Sequence, residues 1–466
     1  MPFPYELVAA SADCQLLAAQ MRLERAAGRA WIEATARRRA EALVAHARER
    51  SPYYRERYRE LAPDAPLAEL PPVRKRELMS RFDDWATDRR ITRAKVERFL
   101  AEPGNIGEPF LRDYVVWTSS GTTGEPGVFV QEAAAMAAYD ALIAAQADVR
   151  EWGPREVGRW ARSSGGGALV VATGAPYPAI VAWRRLARIN PLLGGGAYPI
   201  TLPLHELAAA LERDRPAFLS TYPTMALLLA LERNARRLAI EPAAVWCGGE
   251  CLSPFAREAI EQAFDCRVHD EYGAAECFAI GSACALGAMH CHADWAILEP
   301  VDRAGRPVPP GEPSHTVLLT NLANHLQPLI RYDLGDSIRV LAEPCACGSP
   351  LPVIEVQGRS DDVIALAAPG GATVAIVPLA LEAVVEAAVG AVPFQVVAAG
   401  PAELRLRLRH GGDGAPGARA RSACRKALRE FLAAQGAPDV RVMDDAQDPV
   451  VDARSGKLRR VLAAAP

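Results

Sequence analysis

The feature that most constrains this chain of 466 residues is a stretch from Tyr114 to about Glu250 in which short apolar runs alternate with helical patterns. Ala168–Ala172, Leu207–Glu212 and Ala217–Tyr222 are followed by a helical pattern through Met225–Arg237. Alternation of this kind predicts βα units and a parallel or mixed sheet covered by helices. Strand-like stretches continue at Ala296–Pro300, Thr316–Thr320 and Ser337–Val340. Upstream, the sequence from Trp31 to about Arg59 reads as helix. It breaks at Ser51–Pro52, because the residue before proline avoids the helical region. The basic run Arg37, Arg38, Arg39 is flanked by Glu33, Glu41 and Glu49 and reads as a solvated helix face rather than an anion site.

After Gly358 the character changes. A helix (Leu379–Val389), strands (Phe394–Val397 and Leu404–Leu408), a second helix (Ala418–Ala433) and a last strand (Val440–Met443) make a small α+β unit, with Gly411–Gly414 as a loop inside it. The length exceeds what one compact core accommodates. The expected fold class is therefore α/β: a large N-terminal domain over residues 1–358, with mixed β-sheets flanked by helices, and a small α+β C-terminal domain over residues 359–466.

Charge narrows the function. Lys and Arg total 53 against 56 Asp and Glu, a net charge of −3, which offers no footprint for nucleic acid or an anionic membrane. The start of the chain lacks a basic segment followed by an apolar stretch, so no secretory signal is expected. No run of about 18 apolar residues suggests a membrane span. A soluble cytoplasmic protein is expected. Eight of the 10 cysteines fall between Cys247 and Cys347, which in a reducing compartment points to a metal site or to buried free thiols.

The first chemical motif is Thr118-Ser-Ser-Gly-Thr-Thr-Gly-Glu-Pro-Gly127, directly after the strand-like Tyr114–Trp117. Glycines let backbone N–H groups turn in around an anion and the hydroxyls add donors, so the segment reads as a phosphate clamp; a polar surface loop is the alternative. Further along come Asp270-Glu-Tyr-Gly-Ala-Ala-Glu276, Ile330-Arg-Tyr-Asp-Leu-Gly-Asp336, Gly358-Arg-Ser-Asp-Asp362 and Ser455-Gly-Lys-Leu-Arg459.

These five segments, in this order, resemble the acyl-adenylate-forming superfamily, and within it the phenylacetate–CoA ligase and coenzyme F390 synthetase branch. The Ser-Pro-Tyr-Tyr-Arg context at Ser51–Arg55 adds to the likeness, which runs from about residue 40 to 460. The resemblance implies ATP-dependent activation of a small carboxylic acid as an acyl-adenylate, followed by transfer to coenzyme A. A planar aromatic acid would suit Trp160, Gly165–Gly167 and Tyr222–Pro223, which occupy regions expected to line the acyl pocket.

It also implies roles. Ser119, Ser120, Gly121, Thr122, Thr123 and Gly124 would wrap the β- and γ-phosphates of ATP. Gly249 and Glu250 would pack along the adenine, Tyr272 and Gly273 would lie against its ring, and Asp270 would sit near its exocyclic amine. Glu276 would hold Mg²⁺, Asp336 would accept from the ribose hydroxyls, Arg359 would sit beside ribose and phosphate, and Asp361 would be the hinge of a mobile C-terminal domain. Lys457 would be the mobile cation brought to the α-phosphate.

Some members of this branch hold zinc with three Cys and one His, which implies a structural Zn²⁺ site from Cys284, His290, Cys345 and Cys347. Cys291 and His292 compete for those positions, Cys277 is nearby, and buried free thiols are the alternative. A homodimer is a further implication.

The pattern departs from the family in three places. Glu125 stands where a Lys is usual, Ala275 replaces a Ser or Thr, and Ala367–Pro378 does not match the segment associated with thioester formation. Transfer to a carrier-protein thiol or an amine is therefore an alternative to coenzyme A, and a catalytically weak nucleotide-binding scaffold is an alternative from another class.

Overall fold

A computed structural model describes residues 12–119, 126–146, 153–163, 166–190, 195–200, 202–359, 364–376, 378–390, 392–409, 417–451 and 458–462. The chain opens with helices Ala12–Ala26, Arg29–Arg50 and Pro52–Arg57. Ser51 makes the predicted break. Its N–H closes the second helix on Ala47, while its hydroxyl accepts from Tyr54 N at 3.4 Å to start the third. Arg37 and Arg38 are exposed as expected of a solvated face. Arg39 is not: its guanidinium donates to the Asp294 carbonyl at 2.6 Å and stacks 3.8 Å above the Trp295 ring.

The strands up to residue 359 are β1 (Val115–Thr118), β2 (Val128–Gln131), β3 (Gly167–Val171), β4 (Gly196–Pro199), β5 (Phe218–Thr221), β6 (Ala244–Gly248), β7 (Arg267–Tyr272), β8 (Gly281–Ala283), β9 (Met289–Cys291), β10 (Ala296–Val301), β11 (Thr316–Asn321), β12 (Leu329–Asp333), β13 (Asp336–Val340) and β14 (Val353–Arg359). Nine of them form one sheet in the order β13-β14-β9-β8-β7-β6-β5-β3-β4. The β4-β3-β5-β6-β7 part is parallel, and β8, β9, β14 and β13 add antiparallel, so the sheet is mixed as the alternation predicts.

Period-2 alternation divides the core. Ala168, Val170, Leu219, Val245, Cys247 and Val268 point to one face and pack under helices Leu204–Asp214, Pro223–Asn234 and Pro254–Phe264. Leu169 and Val171, on the opposite face, join a larger core shared with the β1–β2 hairpin, the β10–β11–β12 sheet and the N-terminal helices.

A third core is built entirely from residues between Ile364 and Val461. Its elements are the hairpin β15 (Ile364–Ala367) and β16 (Thr373–Ile376), helices Pro378–Val389 and Ala418–Ala434, and a sheet of β17 (Phe394–Gly400), β18 (Glu403–Leu408), β19 (Arg441–Asp445) and β20 (Val461–Leu462). The sheet order is β19-β18-β17-β20. The α+β character is as expected, while the hairpin and the two-residue β20 are additions. Gly411–Gly414 lies outside the described residues. Among the described residues, no helix is long and apolar enough to cross a membrane.

Candidate active site

The carboxyl ends of β5, β6 and β7 open the crevice in which an open α/β sheet characteristically binds its ligand. At the end of β6 the backbone turns through Gly249, whose φ of +79° favours glycine. Glu250 follows and is fully engaged. Its Oε2 accepts from Thr224 N at 3.1 Å and Thr224 Oγ1 at 2.8 Å, and its Oε1 accepts from Leu458 N at 2.9 Å. That last bond joins the rim of the large sheet to the segment next to Lys457. Beside it, Ser253 Oγ donates to Glu386 Oε1 at 2.7 Å, and Arg460 pairs with the same carboxylate.

Along β7, Val268 and Asp270 share the face covered by the Pro254–Phe264 helix. From that helix Arg257 donates to Val268 O at 2.7 Å and lies 3.4 Å from Asp270 Oδ2. Burial pushes the Asp270 carboxyl up to about 6, only partly offset by Arg257. Asp270 also lines a cavity of about 230 Å³ with Arg257, Glu258, Glu261 and Leu286. Tyr272 ends the strand, and its hydroxyl donates to Asp336 Oδ2 at 2.7 Å. Asp336 is in turn the cross-strand partner of Arg359, so Tyr272, Asp336 and the Arg359 backbone meet at one place.

The turn after β7 is tight. A Cβ on Gly273 would lie 2.2 Å from the Phe278 carbonyl, so only glycine fits. The Ala275 carbonyl accepts from Trp117 Nε1 at 2.8 Å, which fastens the turn to β1. Glu276 is held twice: Tyr332 OH donates to its Oε1 at 2.8 Å, and Asn321 Nδ2 donates to its backbone carbonyl at 3.0 Å. Ser119 sits where β1 gives way to the glycine-rich segment. Its N–H donates to Gly127 O at 2.9 Å and its hydroxyl accepts from Gly127 N at 2.7 Å, which holds Ser119 against Gly127. Ser120, Gly121, Thr122, Thr123 and Gly124, with Asp361 and Lys457, lie outside the described residues, and Arg359 is described through its backbone alone.

Cys284, His290, Cys345 and Cys347 bring their ligand atoms within 4.8 Å of one another. Cys284 Sγ and Cys345 Sγ are 3.9 Å apart, and Cys347 Sγ is 3.4 Å from His290 Nε2. Metal–sulfur bonds of about 2.3 Å in a tetrahedron set sulfur–sulfur edges near 3.8 Å, so this spacing suits one metal ion. His290 Nδ1 is 3.0 Å from Leu351 O, the backbone contact that fixes a ligating imidazole. Two backbone N–H groups point at the sulfurs, Cys347 N at Cys345 Sγ and Ser349 N at Cys347 Sγ. The rival ligands are turned away: Cys277 Sγ is directed to Ala279 O, Cys291 Sγ to Ala296 O, and His292 Nδ1 is 3.3 Å from Arg25 Nη2.

Three supports escaped sequence reasoning. Tyr332, Asn321 and Trp117 are aromatic or amide residues in strands, with nothing local to separate a ligand clamp from core. Tyr332 and Asp336 do share one quoted motif, which was the available signal for the first.

A mixed sheet with acids and an aromatic ring gathered at its carboxyl edge, and a second small core docked on that edge, is the plan of a cleft enzyme. The family model described as AMP-binding enzyme matches residues 35–314, more than half of the chain, and the chain belongs to that family. It is 28% identical over 218 residues to a phenylacetate–coenzyme A ligase of Thermus thermophilus; the match covers 44% of this chain and 47% of that ligase, so the chain spans about half the length of that relative. Among solved structures it is similar to a 2-hydroxyisobutyryl-CoA ligase in the postadenylation state, at 23% identity and a TM-score of 0.65, covering 93% of this chain and 89% of the other. Against that ligase in the thioesterification state the TM-score is 0.53, at 23% identity and the same coverage.

Proposed function

We propose that this enzyme uses ATP and Mg²⁺ to activate a small aromatic carboxylic acid as an acyl-adenylate and then passes the acyl group to coenzyme A. The observation that carries this reading is the meeting of Tyr272 with Asp336 at one rim of the crevice and of Glu250 with Leu458 at the other. In the first half-reaction a carboxylate oxygen bonds to the α-phosphorus as the α–β phosphoanhydride breaks, releasing pyrophosphate. Tyr272 supplies a ring face for adenine and steers Asp336 toward the ribose hydroxyls. Glu276, oriented by Tyr332, is the acid suited to Mg²⁺, whose charge offsets that of the departing pyrophosphate. The Leu458–Glu250 bond supports Lys457 as the cation at the α-phosphate, and the separate core between Ile364 and Val461 supports a domain division at 358/359 with the hinge at Asp361.

The donor set Cys284, His290, Cys345 and Cys347 fits Zn²⁺. All four positions would be protein-filled, so the ion would be structural, tying the β8–β9 hairpin to the loop before β14. A second reading keeps adenylation and changes the acceptor to a carrier-protein thiol. Ala367–Pro378, which departs from the thioester-associated segment, favours it; the described part of that segment is the turn and second strand of the β15–β16 hairpin.

The test is carboxylate-dependent exchange of labelled pyrophosphate into ATP over a panel of acids, beside Lys457→Ala. Exchange with one acid, lost in the folded variant, supports adenylation. No exchange with any acid, in folded and zinc-loaded protein, overturns it. Thioester formation with coenzyme A then separates the acceptors.

A further inference from the structure

The strands that carry the adenylate site also carry polar atoms that nothing among the described residues satisfies. Val268 and Asp270 face the Pro254–Phe264 helix, so alternation sends His269 and Glu271 to the opposite face of β7. Glu271 pairs in register with Gly248 and His269 with Trp246, which places Trp246, His269 and Glu271 in one row. The Trp246 and His269 rings stack at 4.4 Å and 12°, and Phe218 meets Trp246 edge-on at 5.5 Å. In this aromatic setting the Glu271 Oε1 atom and the Trp246 Nε1–H are both sealed from solvent without a hydrogen-bond partner among the described residues.

Two such atoms in one row are expensive. An unpaired buried polar group costs about 1–3 kcal/mol, and more when it is charged. Burial and then the neighbouring Asp270 push the Glu271 carboxyl up to about 7. His269 is driven down to about 3 by burial, so its ring stays neutral and leaves the acid unneutralised. Apolar residues in the same places would form a better core. A strand that keeps an acid and an indole donor here is suited to a ligand that completes both.

The row starts beside the adenylate site. A Cβ on Gly248 would lie 3.4 Å from the Glu271 carbonyl and 3.8 Å from Glu271 Cβ, so Gly248 and Glu271 are direct neighbours on this face. Gly248 leads directly into Gly249 and Glu250, and Glu271 lies between Asp270 and Tyr272. Phe218, Trp246, Gly248 and Glu271 are each partly exposed, so the body of an acid whose carboxylate is at the α-phosphate can lie along this sheet face.

We propose that the acid activated here carries an amino group on a flat body, the amine donating to Glu271 and an acceptor on the same body receiving the Trp246 indole N–H. Glu271 is then a specificity-determining residue: it touches the substrate away from the reacting carboxylate. This deepens the adenylation reading and rests on it. A site built to hydrogen-bond a substrate group discriminates strongly against analogues that lack it, because its buried polar atoms are then left unpaired.

The experiment measures pyrophosphate exchange for matched pairs of aromatic acids with and without an amino substituent, in wild type, Glu271→Gln and Glu271→Leu. Thermal melts establish that each variant folds. In wild type, kcat/KM for the best amino acid of the panel should exceed that of its unsubstituted partner by roughly 100-fold or more. Glu271→Leu should erase or invert that ratio while keeping exchange with the unsubstituted acid, and Glu271→Gln should fall between. Wild-type exchange that is equal for both members of every pair, and unchanged in Glu271→Leu, overturns the role of Glu271 and leaves adenylation standing. No exchange with any acid overturns adenylation itself, and this inference falls with it.

Discussion

Two carboxylates with oxygens shut off from solvent, 23 residues apart in the chain, live in opposite circumstances. Asp294, whose side chain is 0% exposed, is gripped by one edge of the Arg25 guanidinium, which donates from Nε to Oδ2 and from Nη2 to Oδ1 at 3.0 Å each. Burial pushes its carboxyl up, but the Arg25 charge and hydrogen bonds outweigh this and hold it below the ordinary value. Glu271 has a sealed oxygen with no partner among the described residues, and burial raises its carboxyl to about 7. The difference teaches how to tell two kinds of buried acid apart. Asp294 ties the first helix to the loop after β9 and is complete within the fold. Glu271 stands at the rim of the crevice and is incomplete without a ligand.

Removing the partner from the complete pair should have the largest effect. Asp294→Ala leaves a half-buried Arg25 without its acid, and breaking a buried pair from one side costs about 3–5 kcal/mol. Chemical denaturation should show that loss. The double change Arg25→Met with Asp294→Leu should recover most of it, since no charge is then stranded. A single variant as stable as wild type would end the contrast from the Asp294 side.

The metal cluster is a third case, in which the partner is expected from outside the chain. If Zn²⁺ binds the folded state alone, free metal at 1,000 times Kd contributes about 4 kcal/mol. A strong chelator should therefore lower the melting temperature, release close to one zinc per chain and leave Cys347→Ser unresponsive. Metal analysis showing no zinc in freshly purified protein would remove this member of the comparison.

Next in size is the effect of discharging Glu271. Below its ordinary value near 4.5 the carboxyl is neutral in folded and unfolded chains alike. As pH rises from there to about 7, the unfolded chain releases its proton and the folded chain keeps it, so unfolding becomes easier. Above about 7 the full penalty applies, on the order of 3 kcal/mol. Glu271→Gln should thus be stabilising at pH 8 and neutral at pH 4, read from unfolding curves at both. Equal effects at the two pH values would show that Glu271 is solvated like any surface acid.

Legibility in the sequence follows the same division. The αβ alternation, the change after Gly358 and the Cys/His set were readable because each leaves a local signature: a short apolar run buried along its whole length in β3, a switch to α+β pattern, a ligand spacing. The motif acids Asp270, Glu276 and Asp336 were readable as a set in order along the chain. What holds them was not. Tyr332 orients Glu276 across 56 residues and Leu458 reaches Glu250 across 208, and pairings of that range have no sequence period to betray them. Arg39 looked like one of three solvated arginines because the rings and carbonyls it meets lie 255 residues away. The Glu271 row was hidden differently: the acid sits inside a recognised motif, and only the register of β6 against β7 shows what it faces.

The smallest effect concerns a polar group that is missing rather than stranded. Ala275 is fixed by its backbone, because its carbonyl accepts from Trp117 Nε1, and its side chain is half-buried at the turn leading to Glu276. Replacing it with Thr adds one hydroxyl at a place already held rigid, beside the acid proposed to hold Mg²⁺. One added hydrogen bond is worth about 0.5–1.5 kcal/mol, or a few-fold to about tenfold in the rate of pyrophosphate exchange. Ala275→Val is the control, since it adds the same branching without the hydroxyl. A gain in Thr but not in Val would mean that a bond to the reacting centre had been supplied; equal responses would mean that shape alone was being read there. Because the gain would be made at the reacting end of the acid, it should be the same for amino-bearing and plain acids. The Glu271 changes, at the far end, should alter that ratio. A gain in Ala275→Thr confined to one class of acid would show that the two ends of the pocket are not independent.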